Sequence, residues 1–311
     1  MKYLITIVGP TAIGKTALSI ALANHFECEI VSCDSRQFFK EMTIGTAVPN
    51  KEELQSATHH FIQNKSILEN YTVGDYEKEA LNVLEELFKN NDFAVLIGGS
   101  GLYVDAILKG FDEFPEIDAS IRTTVNSNYE KLGIDYLQEQ LQLLDANYFQ
   151  QITKENPQTL QNPQRMMRFV EVCLGTGKPY SSFLNQKKNN RNFTPILIGL
   201  EAGRAIIYER INQRVDTMLQ AGLVEEAKEL YPNKVLNALQ TVGYRELFSY
   251  FDGEFSLPFA IEEIKKNTRR FSKRQLTWFK RNEATRWFDY TTPQSEIISY
   301  IQSKTNNLKN Q

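Results

Sequence analysis

The chain opens with an unbroken apolar run, YLITIV (3–8), then a glycine-bearing polar turn, then an apolar pattern of helical period, KTALSIALANHF (15–26). A short apolar run bounded by turn residues reads as a buried strand, and the longer periodic one as a helix. The alternation repeats. EIVS (29–32) reads as a second buried strand, 47–70 as loop, 76–89 as an amphipathic helix with Ala80, Val83, Leu84 and Leu87 on its apolar stripe, and FAVLI (93–97) as a third strand. Strands alternating with helices predict a parallel sheet covered on both faces. Around FDEFPEI (111–117) the strand signal stops. Only helical patterns follow, such as 135–144 and 165–174, the latter closed by Gly175, Gly177 and Pro179. A lysine and asparagine run (187–192) leads to another strand, PILIGL (195–200), and then to long helical patterns at 204–220, 223–231 and 260–281.

The predicted architecture is α/β. A P-loop NTPase-like parallel sheet flanked by helices is built from 1–111 and 194–302, with an all-helical domain, 112–193, inserted into it. The last residues, 303–311, are expected to be a disordered tail. With 311 residues, 41% of them hydrophobic and 23% charged, the chain has the composition of a soluble globular protein with room for two domains. The apolar run at the start is too short for a signal peptide or a membrane span, and no other segment approaches spanning length. Cys28, Cys33 and Cys173 form no CxxC pair, so reduced thiols in a cytoplasm are expected. His25, His59 and His60 give no zinc-ligand spacing.

A net charge of −3 argues mildly against a nucleic-acid partner, but the average hides an asymmetry. Between 265 and 281 stand Lys265, Lys266, Arg269, Arg270, Lys273, Arg274, Lys280 and Arg281, with no acidic residue. A local basic face can hold a phosphate backbone on an acidic protein, because screening makes the relevant field local. The bland alternative is a solvated helix face, with Ile261, Ile264, Phe271 and Trp278 as its buried stripe. Mixed signs would stabilise such a face better through i,i+4 pairs.

The turn between the first strand and helix reads GPTAIGKT: Gly9, Pro10, Thr11, Ala12, Ile13, Gly14, Lys15 and Thr16. Strand, glycine loop and helix make the setting of a phosphate-binding loop, whose backbone N–H groups surround the anion. Lys15 supplies a charge to the outer phosphates, the Thr16 hydroxyl suits a bridging Mg²⁺, and the helix N-terminus adds its partial charge. Such loops mostly serve phosphoryl transfer, and those enzymes usually carry a second acidic metal ligand at a strand end. Here the third strand ends in glycines, Gly98 and Gly99. The carboxylate at a strand end is Asp34, within DSRQ (34–37). It could hold Mg²⁺ through water, act as a general base, or merely shape a turn.

Taken together, GPTAIGKT (9–16), CDSRQ (33–37), GGSGLY (98–103), NPQRMMRFVEV (162–172), RINQRVDTMLQAGLVEEA (210–227), TVGYRE (241–246) and KRQLTWFKR (273–281) resemble one family, the bacterial tRNA dimethylallyltransferases, also called tRNA isopentenyltransferases. The resemblance runs from residue 9 to about Trp287. It departs from the family's usual pattern at Ser100, where threonine is common, at Arg168-Phe169-Val170, where RAL is usual, and at Arg36, a position often apolar. The zinc-finger extension of eukaryotic members is absent.

The resemblance implies transfer of a dimethylallyl group from dimethylallyl diphosphate to the exocyclic amine of the adenosine at tRNA position 37. The loop (9–16) would hold the isoprenoid diphosphate, with Mg²⁺ on Thr16. Lys15, Thr16, Ser100 and Arg214 would be catalytic, with Arg210 the alternative to Arg214 on the diphosphate. Asp34 would be the general base. Ser35, Gln37 and Ser100, beside Arg36, would hold the adenine edge. Arg122, Gln164, Arg165 and Arg168 in the insertion would grip the anticodon stem-loop, and Tyr244, Arg245, Lys273 and Arg274 would meet the RNA from the other side. A cytoplasmic monomer with no protein or membrane partner is expected. The rivals are a prenyltransferase acting on free AMP or ATP, a P-loop small-molecule kinase, and a P-loop RNA switch without transfer chemistry.

Overall fold

The computed structural model describes residues 1–112, 114–184 and 190–309. The first half of the lysine and asparagine run expected at 187–192, residues 187–189, lies outside the described residues, as do 310 and 311 of the expected tail. The chain divides into two compact units, 1–110 with 191–311, and 111–190.

The first unit runs β1 (Tyr3–Val8), α1 (Lys15–His25), β2 (Ile30–Ser32), α2 (Lys51–Ser56), β3 (His59–His60), α3 (Val73–Asn90), β4 (Phe93–Ile97) and α4 (Gly101–Lys109) before the second unit begins. The second holds α5 (Ala119–Leu144), α6 (Ala146–Glu155) and α7 (Pro163–Thr176). The first then resumes with β5 (Thr194–Glu201), α8 (Arg204–Gln220), α9 (Leu223–Leu230), α10 (Tyr244–Phe251), α11 (Leu257–Phe279), β6 (Arg286–Asp289) and α12 (Gln294–Lys309). Its six strands lie in the order β3-β2-β4-β1-β5-β6, every pairing parallel. This is the α/β architecture expected, and β1 sits inside the sheet with β4 and β5 on either side.

The strands read as continuous apolar runs because both faces are covered. Tyr3, Ile5 and Ile7 point into one core with Leu22, Ile198, Ile211 and Ile301. Leu4 and Val8 point into the other with Tyr76, Leu84, Leu96 and Ile107. Two strands carry no period that a sequence pattern could reveal. β3 is two residues, and β6 buries Phe288 alone.

The first unit resumes at Arg191, just ahead of β5, whose first residue is Thr194. Arg191 donates to the carbonyls of Ala106 (2.7 Å) and Ile107 (2.8 Å) and pairs with Glu77 (2.6 Å), while Phe193 stacks near Phe88. The expectation of disorder from 303 is corrected, because α12 continues to Lys309. Thr305 is buried on its inner face, and its carbonyl accepts from the Tyr3 hydroxyl at 3.3 Å.

The second unit packs Val125, Leu137, Leu141, Ile152, Met166, Phe169 and Val170 into a core of its own. Gly133, at φ 75°, breaks α5 into two helical stretches. No helix among the described residues is long and apolar enough to cross a membrane.

Candidate active site

The site is built where β1, β2 and β4 end, the edge of a parallel sheet at which ligands collect. The chain leaves β1 through Gly9, whose φ of 148° and whose distance of 2.6 Å from a built Cβ to the Leu200 carbonyl admit only glycine. It enters α1 through Gly14, a left-handed N-cap. Ala12 between them holds φ 62°, a local strain of the kind functional loops store. Lys15 folds back over the loop, its Nζ donating to the carbonyls of Gly9 (3.1 Å) and Pro10 (2.8 Å). Burial and the neighbouring Arg214 pull the Lys15 pKa down to about 8, against the opposing pull of Asp34 and Cys33. The Thr16 hydroxyl-bearing residue lies on the same cavity wall.

Helix α8 brings both expected arginines to this loop. Arg210 Nε donates to the Ala12 carbonyl (2.7 Å), and its guanidinium lies over Tyr290. Arg214 Nη1 reaches Thr11 Oγ1 (3.3 Å). Burial lowers the Arg214 pKa, while Asp34 and Glu53 oppose the shift. From α11, Gln275 closes the loop on its far side. Its Oε1 accepts from the Thr11 N–H and its Nε2 donates to the Gly99 carbonyl, both at 2.9 Å.

Asp34 follows β2. One carboxylate oxygen accepts from the Arg36 N–H (3.1 Å), and no hydrogen bond from a described residue reaches the other. The Ser35 and Ser100 hydroxyls stand 3.0 Å apart, and the Ser35 N–H donates to Ser100 Oγ (3.2 Å). The serine that replaces threonine therefore keeps a working hydroxyl. Gln37 spends its amide protons on the carbonyls of Thr46 (3.1 Å) and Ala47 (2.9 Å), which leaves it an acceptor.

Two cavities meet here. The first, of about 600 Å³, is walled by the loop 11–17 with Gln37, Asn50, Glu53, His59 and Arg210. The second, of about 480 Å³, is walled by Ser35, Arg36, Ser100, Tyr103, Val242, Arg274 and Trp278 among others. Thr11, Asp34, Gly99, Arg214, Phe271 and Gln275 line both. The carboxylate thus stands between a phosphate-type chamber and a chamber with more apolar walls.

Several sequence expectations change. Tyr244, expected at the RNA, is fully buried, its ring against Gly45 and its hydroxyl donating to Glu226 Oε1 at 2.7 Å. Glu226 also accepts the N–H groups of Thr43, Ile44 and Gly45. Tyr244 therefore shapes the loop carrying those residues and offers RNA no surface, whereas Arg245 beside it is exposed. Arg122 and Arg168 both pair with the buried Glu171, and Arg168 also lies over Phe114. Part of their charge is thus used inside the helical unit. Gln164 and Arg165 are exposed on α7.

The basic stretch on α11 is also less free than its composition implies. Lys265 pairs with Asp216 (2.7 Å), Lys266 with Glu263, and Lys280 with Glu201 (2.8 Å). Arg269 donates to Asn212. Arg270, Lys273 and Arg274 remain exposed. Of the expected stripe Ile264 is buried, Ile261 and Trp278 are half-buried and Phe271 is exposed; the buried positions are Ala260, Ile264, Ser272, Gln275 and Phe279. Phe271 is 38% exposed and faces the cavities. The roles of Gln275 and Phe271 escaped sequence reasoning because both looked like ordinary members of an amphipathic helix.

The chain matches the model of the IPP transferase family over residues 37–282. It is 82% identical to the tRNA dimethylallyltransferase of Flavobacterium johnsoniae, covering 97% of both chains. It is 69% identical to the enzyme of the same name from Flavobacterium psychrophilum, over 98% of this chain and 99% of that one. Among solved structures it is similar to the full-length tRNA isopentenylpyrophosphate transferase of Bacillus halodurans, with 32% identity, full coverage of both chains and a TM-score of 0.73. Identity of this order over nearly the whole length, on a phosphate loop joined to a second chamber through one carboxylate, places the chain in the IPP transferase family, a transferase alongside the tRNA dimethylallyltransferases.

Proposed function

We propose that the protein transfers the dimethylallyl group of dimethylallyl diphosphate to the exocyclic amine of adenosine 37 of tRNA and releases diphosphate. The observation that carries this reading is the shared wall of the two cavities, where Asp34, Thr11 and Arg214 face both chambers. The diphosphate occupies the loop chamber, cradled by the backbone N–H groups of 12–16 and by Lys15, Arg210 and Arg214. The adenine enters the second chamber, beside Ser35, Arg36 and Ser100.

The reaction breaks the allylic C–O bond, whose electron pair leaves with the diphosphate, and forms a bond from the amine nitrogen to that carbon. Stabilising the departing charge by preorganised donors is often the largest catalytic contribution. The amine is a weak nucleophile because its lone pair is shared with the ring. The unbonded oxygen of Asp34 takes its proton as the C–N bond forms. Oxygen donors surround the loop chamber, from Thr16, Asp34 and Glu53, and no described group of three His, Cys, Asp or Glu forms a metal cage. That donor set fits Mg²⁺, which keeps waters and binds through phosphates. Thr16 would hold it, and when bound it neutralises charge on the diphosphate.

The adenosine must leave its stack in the anticodon loop, at a cost of a few kcal/mol. Gln164, Arg165 and the partly engaged Arg122 and Arg168 of the helical unit, with Arg245, Lys273 and Arg274, supply phosphate contacts that offset it. The action is placed in the cytoplasm, which the free thiols of Cys28, Cys33 and Cys173 support.

The test is direct. Purified protein is mixed with dimethylallyl diphosphate, Mg²⁺ and tRNA lacking the modification, with AMP and ATP as parallel acceptors, and the digested products are weighed by mass spectrometry. Dimethylallyl-adenosine from tRNA alone is expected. Product on AMP or ATP alone would assign a free-nucleotide prenyltransferase, and phosphate transfer from ATP a kinase.

A further inference from the structure

His59, the first residue of β3, lines the loop chamber together with Lys15, Thr16, Asp34 and Glu53. Its Nδ1 lies 2.8 Å from the Ala57 carbonyl oxygen. A carbonyl only accepts, so Nδ1 carries the ring proton and Nε2 of the neutral ring is an acceptor. Burial favours that neutral form, lowering the His59 pKa against the opposing Glu53. Yet Nε2 is buried with no hydrogen-bond partner among the described residues. His60 next to it is satisfied, its Nε2 lying 2.7 Å from Glu29 Oε2.

A buried acceptor without a partner calls for a donor supplied by a ligand or by water. Diphosphate oxygens cannot be that donor, since they only accept. Water on Mg²⁺ can, because the ion retains several waters and their protons need acceptors around the site. We propose that His59 is a positioning residue for the hydrated Mg²⁺, its Nε2 accepting a hydrogen bond from a metal-bound water. This rests on the reading that the chamber holds a diphosphate with Mg²⁺.

The experiment is calorimetric titration of Mg²⁺ into the full-length protein with inorganic diphosphate, for wild type, His59→Leu and His59→Gln. Diphosphate is also titrated without metal, in two buffers of different ionisation enthalpy. Loss of a ligand-orienting partner typically weakens metal binding about 10- to 100-fold. We expect His59→Leu to lose at least about tenfold in Mg²⁺ affinity. His59→Gln should recover most of it, with metal-free diphosphate binding unchanged. Equal Mg²⁺ affinity in wild type and His59→Leu would overturn the proposal alone. So would proton uptake on diphosphate binding that vanishes in His59→Leu, because a protonated ring would then be donating to the anion. No Mg²⁺-dependent diphosphate binding by wild type would overturn the underlying reading and this proposal with it. Should the leucine variant not fold, the ¹⁵N resonance of wild-type His59 Nε2 decides. A shift when Mg²⁺ joins the diphosphate complex supports the role, and no shift refutes it.

Discussion

Asp34 is held by a single backbone N–H, which orients the carboxylate and leaves one oxygen on the wall between the chambers. Asparagine keeps the shape and the Arg36 contact but cannot take a proton. Asp34→Asn should therefore lose about a hundredfold or more in turnover with tRNA affinity unchanged, as measured by single-turnover transfer and filter binding. Near wild-type turnover would remove the general base. Lys15 makes a pH prediction whose sign follows from its depressed pKa. The ammonium is present below about pH 8 and lost above it. Diphosphate affinity in the wild type should therefore fall as pH rises past 8, more steeply than in Lys15→Arg, whose guanidinium stays charged throughout. Parallel pH profiles for the two proteins would contradict this. Each of these residues was legible in the sequence because a glycine loop and a strand-end acid are local patterns. Gln275 was not, since its partners Thr11 and Gly99 are remote in the chain and only the fold brings them together.

At the scale of elements, α11 decides two things. Its buried side fastens the phosphate loop through Gln275. Its outer side leaves Arg270, Lys273 and Arg274 exposed and without a carboxylate partner among the described residues, while Lys265, Lys266 and Lys280 are paired with acids and Arg269 is held by Asn212. Replacing Arg270, Lys273 and Arg274 by glutamine should weaken tRNA binding and flatten its dependence on salt, since each lost phosphate contact lowers the slope by about one. Replacing Lys265 and Lys280 instead should leave that slope nearly unchanged. A slope equally insensitive to both sets would return the helix to a solvated face. The acid-free run of the sequence overstated this charge because Lys265 and Lys280 find counterions on α8 and β5, elements distant in the chain, and Lys266 finds Glu263 just upstream on α11 itself.

For the whole molecule, the sheet is completed from both ends of the chain. β5 and β6 arrive after the helical unit, and α12 covers the core face that Tyr3 also fills. Removing residues 304–311 takes away the buried Thr305 and the part-buried Leu308, which packs against that core. Fully burying a leucine is worth roughly 1.5–3 kcal/mol and the part-buried Leu308 contributes a fraction of that, so the truncated protein should unfold at lower denaturant, with a midpoint shift read by circular dichroism. An unchanged midpoint would mean that the last turns of α12 add nothing. What the sequence by itself determined is whatever depends on neighbours in the chain: the strands that are continuous apolar runs, the phosphate loop, the helical insertion and the acid at the end of β2. Tertiary structure alone decided which positive charges stay free, that Tyr244 is buried, that Phe271 faces the cavities, that α12 reaches Lys309, and that two chambers share Asp34. Those outcomes depend on partners far away in sequence, and no local period or spacing encodes a distance between remote side chains.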